Sequence, residues 1–217
     1  MLGKALSALA IAGTIACASA NAALVIVDVT DSSSTPAASA VVSLMPDSPP
    51  AAIASHVPDK STIDQRHETF LPLVVIVRKG GSVTFTNNDV TTHQVYSFSP
   101  IKQFQFEIGK GQISKPVVFD TPGAAAIGCN IHDNMVAFVY VTEAPFAAVT
   151  DAGGHAEFHD IPEGVYRATV WHPQLRVGKQ PPPEIVTVRG SSAKLAFSVP
   201  ITAGGMPGMR RMHKSDY

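Results

Sequence analysis

Cys129, His132 and Met135 stand three residues apart in Gly128-Cys129-Asn130-Ile131-His132-Asp133-Asn134-Met135, which puts a thiol, an imidazole and a thioether in one short turn. Thiolate and thioether are soft donors that favour Cu(I), and imidazole suits both oxidation states, so this loop carries donors that a mononuclear copper site needs. A further histidine must come from elsewhere in the chain. His93 is the candidate, because in Asn87-Asn88-Asp89-Val90-Thr91-Thr92-His93-Gln94-Val95 it follows a polar turn and opens an alternating segment. Cys129 has a second argument in its favour. The chain has two cysteines, and Cys17 lies in a segment that reads as a cleaved export signal, which leaves Cys129 without an intramolecular disulfide partner. A lone thiol in an oxidising compartment is a reactive group, an intermolecular bridge, an inert buried residue or a metal ligand. The neighbouring histidine and methionine favour the ligand.

The export signal itself consists of Lys4, an apolar run over 5–18, and a small-residue cleavage site at Ala18-Ser19-Ala20 or Ala20-Asn21-Ala22. That run is too short to span a bilayer, so the mature chain is expected to begin near Asn21 or Ala23, to carry no membrane span, and to be periplasmic or secreted. A lipid-modified Cys17 is the competing reading, for which Thr14 is a poor residue. A net charge of −1 and the absence of a basic patch with interleaved aromatics give no reason to expect nucleic acid.

The elements that must position the donors are strands. Seventeen prolines and sixteen glycines in short clusters imply many turns, and no segment holds a helical period, so the chain reads as all-β. Runs at 24–29 and 41–45, separated by a polar loop, suggest a hairpin, and four prolines within 46–61 suggest irregular chain. Strands follow at 74–77 and 83–86, around a Gly80-Gly81 turn, and then at 93–98, 117–119 and 136–141. In the strand from 93, His93, Val95 and Ser97 share one face. Beyond Pro145 come strands at 149–158 and 161–170, joined at Pro162-Glu163-Gly164, and two more at 184–188 and 193–199. The tail from 202 is rich in Gly and Met.

The segment 70–141 resembles the cupredoxins. The resemblance rests on Phe70-Leu71-Pro72, the Gly-rich turn into Val83-Thr84-Phe85-Thr86-Asn87, the histidine after Asp89, and the Cys-x-x-His-x-x-Met loop followed by a β run. Val95-Tyr96-Ser97-Phe98-Ser99-Pro100, with the cysteine loop and Trp171-His172-Pro173, is also similar to bacterial methylamine utilisation proteins and plastocyanin-like proteins. The resemblance implies a Greek-key β-sandwich holding one copper ion, with His93, Cys129 and His132 as equatorial ligands and Met135 as a long axial ligand. This chain departs from the family at Gln94, where many members carry an asparagine that supports the cysteine sulfur, at Ile127-Gly128, where many carry an aromatic, and at Asp133, a carboxylate where carriers often have an apolar docking surface.

Thr150-Asp151-x-x-Gly154 and Ile161-Pro162-Glu163-Gly164-Val165-Tyr166, with Pro36-Ala37-Ala38-Ser39-Ala40-Val41-Val42 upstream, resemble carboxypeptidase-regulatory or transthyretin-like (Ig/transthyretin-like) β-sandwiches. The expected organisation is a signal peptide over 1–22, N-terminal strands over 23–58 that join the second sandwich, a copper unit over 59–143, the small second sandwich over 144–201, and a Met-rich tail over 202–217.

The function so implied is an exported, non-enzymatic copper protein that carries electrons to a redox protein partner. The alternative is a copper storage or delivery protein that holds Cu(I) for an acceptor. Among the remaining candidates, His155, Glu157 and His159 share a strand face, read as solvated with Ala156 and Phe158 inward, or else as a second metal site. His172 reads as a structural histidine, and Trp171 as packing between the two units. Met206, Met209, Met212 and His213 offer soft donors without a fixed fold, while His56 and His67 belong to no constellation.

Overall fold

A computed structural model describes residues 23–48, 53–131, 134–176 and 178–201, and every regular element among them is a strand. In chain order these are β1 (Ala23–Asp31), β2 (Val41–Pro46), β3 (Lys60–Arg66), β4 (Thr69–Leu71), β5 (Val74–Arg78), β6 (Gly81–Asn87), β7 (His93–Ser99), β8 (Lys102–Ile108), β9 (Val117–Phe119), β10 (Gly123–Cys129) and β11 (Val136–Thr142). They are followed by β12 (Phe146–Val149), β13 (His155–Ile161), β14 (Gly164–Trp171), β15 (Glu184–Val188) and β16 (Ser192–Val199). The protein is therefore all-β. The signal segment, His132, Asp133 and the Met-rich tail lie outside the described residues.

Strands β3 to β11 form two facing sheets, ordered β4-β3-β6-β9 and β5-β11-β10-β7-β8. One core fills the space between them: Ile63, Phe70, Val83, Phe85 and Phe119 from the first sheet meet Val77, Val95, Ala125, Ile127 and Val139 from the second. Alternation along the strands sends these side chains inward, and each fully buried aliphatic or aromatic contributes about 1.5–3 kcal/mol of transfer free energy. Strand β3 is absent from the sequence reading. Lys60-Ser61-Thr62-Ile63-Asp64-Gln65-Arg66 is mostly polar, and only Ile63 and Gln65 are buried. It lies between β4 and β6, with the parallel β6 ladder extending from Lys60–Ser82 to Gln65–Asn87.

The remaining strands form the sheets β13-β1-β16 and β12-β2-β14-β15, which enclose a separate core that includes Val25, Val27, Leu44, Tyr166, Val170 and Phe197. The expected hairpin of β1 and β2 does not form, because the two strands belong to opposite sheets. Their burial explains why. Strand β1 alternates, with a single buried face, whereas Val41, Val42, Ser43 and Leu44 of β2 are all buried, so β2 must be covered on both sides. Its neighbours β12 and β14 flank it in the sheet. The polar segment between the strands turns away at Asp31, whose Oδ1 accepts the Ser33 and Thr35 amides, each at 2.8 Å. Strands β13 and β14 likewise change sheets across Pro162, whose carbonyl accepts the Tyr166 hydroxyl at 2.9 Å.

A third apolar cluster joins the two sandwiches. Val74 and Ile76 of β5 and Val41 of β2 pack with Phe138, Tyr140 and Trp171. The Trp171 ring centroid lies 5.7 Å from that of Phe138 and 5.4 Å from that of Tyr140. The chain enters and leaves the first sandwich at one place, where the His56 amide donates to the Pro145 carbonyl at 2.8 Å.

Candidate metal centre

Strand β7 sits between β8 and β10, with His93 opposite Ile108 and Val95 opposite Cys129. Both candidate donors therefore come from adjacent central strands, and the pleat turns them into the core. His93 is fully buried, Cys129 is 4% exposed and Met135, just ahead of β11, is 2% exposed. Cys129 is a free thiol. Its Sγ lies 3.7 Å from His93 Nδ1, across 36 residues of sequence.

That separation is a direct test of fit. Nitrogen and sulfur bonded to one ion at roughly 2.0 and 2.3 Å, with an angle of about 110–120° at the metal, stand about 3.5–3.7 Å apart, using zinc bond lengths as the guide. It is also a normal distance for a metal-free thiol beside an imidazole nitrogen. The pair fits one side of a soft-metal site, and the Met135 thioether belongs to the same buried cluster as Cys129. Of the four expected ligands, the structure brings His93 and Cys129 into contact and buries Met135 beside the same core, while His132 falls outside the described residues. Among the described residues, no group of three His, Cys, Asp or Glu side chains is placed to hold a metal ion.

Polar side chains that the sequence reading left without a role build the floor beneath His93. Asn87 is buried and its Nδ2 donates to the Thr91 and Ile108 carbonyls at 2.8 and 2.9 Å, while its Oδ1 accepts the Asp89 amide at 2.9 Å. Asp89 in turn accepts the Glu68 amide at 2.7 Å and the Val90 amide at 2.9 Å, and its Oδ2 lies 3.2 Å from His93 Nε2. Burial pushes the Asp89 carboxyl up, but these two amides and His93 outweigh it and hold it below the ordinary carboxylate value. Thr91 Oγ1 lies 3.4 Å from the same Nε2. The available signal was the i,i+4 spacing of Asp89 and His93 across a turn.

Gln94 and Gly128, on either side of the histidine–cysteine pair, have structural roles of their own. Gln94 accepts the Asn130 side-chain amide through Oε1 at 2.6 Å, and its carbonyl accepts the Asn130 backbone amide at 3.3 Å, so it ties down the loop that follows Cys129. Gly128 lies under the Tyr96 ring: a Cβ added there would stand 2.6 Å from Tyr96 Cζ. Tyr96, paired with Gly128 on the neighbouring strand, thus fills the space beside it.

Elsewhere, His155, Glu157 and His159 are exposed, with Ala156 and Phe158 buried between them. His155 pairs with Asp28 at 2.6 Å, and that hydrogen bond raises its pKa above the ordinary histidine value. His172 is buried, with Nε2 3.0 Å from the Ala38 carbonyl and Nδ1 accepting the Gln174 amide at 3.1 Å.

No family model matches the chain, and no curated protein matches it in sequence. Solved structures do match. A purple cupredoxin from Nitrosopumilus maritimus is 23% identical over 38% of this chain and 99% of its own, with a TM-score of 0.35. Amicyanin from Paracoccus versutus is 21% identical over 46% of this chain and 98% of its own, at 0.34. A copper-containing nitrite reductase from Thermus scotoductus is 23% identical over 46% of this chain but only 25% of its own, at 0.36. These likenesses span less than half of the chain, and the all-β assignment rests on the sheets themselves. What fold and site define is an all-β protein of two sandwiches with a buried histidine–cysteine pair at one end of the first.

Proposed function

We propose that the chain is an exported mononuclear copper protein of cupredoxin type, an electron carrier rather than an enzyme, with one ion held by His93, Cys129, His132 and Met135. The observation that carries this reading is the 3.7 Å contact between two buried soft-metal donors on adjacent strands. Copper would supply one-electron chemistry between Cu(I) and Cu(II), for which a histidine–thiolate set with a weak thioether suits both states. The chain's own contribution is to fix the donors on strand ends and to exclude water around them. Val90 and Ile131, on the two loops that flank the donors, are 76% and 53% exposed. In this reading the copper unit is an insertion in the second sandwich, which is of carboxypeptidase-regulatory type.

Metal analysis and an absorption spectrum of protein prepared from an oxidising compartment test the proposal. Cys129→Ser is expected to abolish an intense visible band while leaving the β-sheet circular dichroism intact. Met135→Leu is expected to keep the band and raise the potential. Unchanged copper stoichiometry and spectrum in Cys129→Ser would sink the assignment. Binding of Cu(I) alone, with transfer to an acceptor and no reversible voltammetry, would replace the electron carrier by storage or delivery.

A further inference from the structure

Asp89 has no place among the four donors, yet it is the residue on which the surroundings of His93 converge. It is 7% exposed, and its carboxylate is held in place by the Glu68 and Val90 amides while its own amide donates to Asn87. Its Oδ2 faces His93 Nε2 at 3.2 Å. Both Asp89 oxygens already accept backbone amides, so the carboxylate meets Nε2 as an acceptor and the contact places the imidazole proton on Nε2. The lone pair then sits on Nδ1, the atom 3.7 Å from Cys129 Sγ. Thr91 Oγ1, 3.4 Å from the same Nε2, both donates and accepts and does not select a tautomer.

We propose that Asp89 is a positioning residue that fixes His93 in the Nε2–H tautomer and aims its Nδ1 lone pair at the Cys129 side of the site before any ion is bound. The purpose of this device rests on the copper reading, whereas its test does not. A carboxylate behind a metal-binding imidazole orients the ring and raises its basicity. The neighbouring turn is built around the same group. His67 and Glu68 both adopt left-handed backbone, with φ of 50° and 55°, and the Glu68 amide is the one that Asp89 Oδ2 accepts. The sheet end at β3 and β4 and the imidazole on β7 thus share one acceptor.

The test is long-range proton–nitrogen NMR of the metal-free full chain, with His93 assigned by the signals lost in His93→Gln. Wild type and Thr91→Val are expected to carry the proton on Nε2. Asp89→Leu, made in the Thr91→Val background so that neither side chain offers Nε2 an acceptor, is expected to lose that preference. Cu(I) competed against a chromogenic chelator should then bind the double variant about 10–100-fold more weakly than wild type, with Thr91→Val alone close to wild type. A proton on Nδ1 in the wild type overturns the proposal whether or not any Asp89 variant folds, and so does an unchanged tautomer in the folded double variant. An Nε2 proton in a chain that takes up no Cu(I) supports the tautomer assignment and removes the copper reading instead.

Discussion

At the scale of single residues, the site is shaped as much by what leaves room as by what binds. Gly128 leaves the space that the far end of the Tyr96 ring occupies, so a side chain there would push the ring aside. Gly128→Ala is therefore expected to destabilise the protein by about 1–3 kcal/mol through overpacking. Adding the same alanine to a Tyr96→Ala background should cost almost nothing, since the two residues are in contact and their effects are not additive. Urea titration of the four proteins measures this, and equal costs in both backgrounds would remove Tyr96 as the cause. His172 gives the second expectation. Burial holds its pKa below the ordinary histidine value, against the raising effect of the Ala38 carbonyl. Its neutral ring accepts the Gln174 amide on Nδ1, so protonation would set two donors against each other. A depressed folded-state pKa means that the stabilisation is complete above the unfolded value, about 6.5, and is lost as pH falls below it toward the folded value. Stability measured between pH 7.5 and 5 should therefore decline in wild type and decline less in His172→Phe. Cys129, His132, Met135 and His93 were legible as candidate donors only, because residue type alone carries that chemistry. Asn87 and Asp89 were not, because an asparagine and an aspartate in a turn look alike whether they face water or support an imidazole.

At the scale of elements, the strands with a clear two-residue alternation, β1, β6, β7 and β11, could be read from the sequence. Those that depend on tertiary context could not. Strand β3 offers little apolar signal, and its place between β4 and β6 is set by the ladder and by two inward side chains, Ile63 and Gln65. The β1–β2 hairpin failed for a related reason: sequence proximity suggested pairing, but the continuous burial of β2 demanded neighbours on both edges and a sheet on its face. The loop between β6 and β7 shows how an element without regular structure is nonetheless fixed. Asn87 closes it with two carbonyl contacts and receives the Asp89 amide. Asn87→Ala strands two carbonyls and one amide, and the loss is expected to be about 2–4 kcal/mol, near the sum of several modest buried hydrogen bonds. Because the same loop presents His93, metal affinity should fall along with the midpoint of denaturation. A variant that loses stability but keeps full affinity would show that β7 alone positions the ligand.

At the scale of the whole molecule, the first sandwich is carried between the strands of the second. β1 and β2 pair with β13, β16, β12 and β14, strands that lie on the far side of it in sequence. The His56–Pro145 contact brings its entry and exit together, the condition under which an insertion is tolerated. What couples the two units is the small cluster around Trp171, the only tryptophan in the chain. Removing that ring uncovers Phe138 and Tyr140 on β11, the strand that begins just after Met135, and is expected to cost about 2 kcal/mol of transfer free energy. The consequence for cooperativity is larger than that figure. Wild type should unfold in one calorimetric transition, because neither unit can open without exposing the shared cluster. In Trp171→Ala the two cores, which share no buried side chain, should separate into two transitions. Copper binds only the folded first sandwich in the proposed reading, so adding it should raise one of those two transitions and leave the other in place, whereas in wild type it should raise the single transition. Coincident transitions in Trp171→Ala, both shifted by the metal, would mean that the backbone connections near His56 and Pro145 couple the units without the ring.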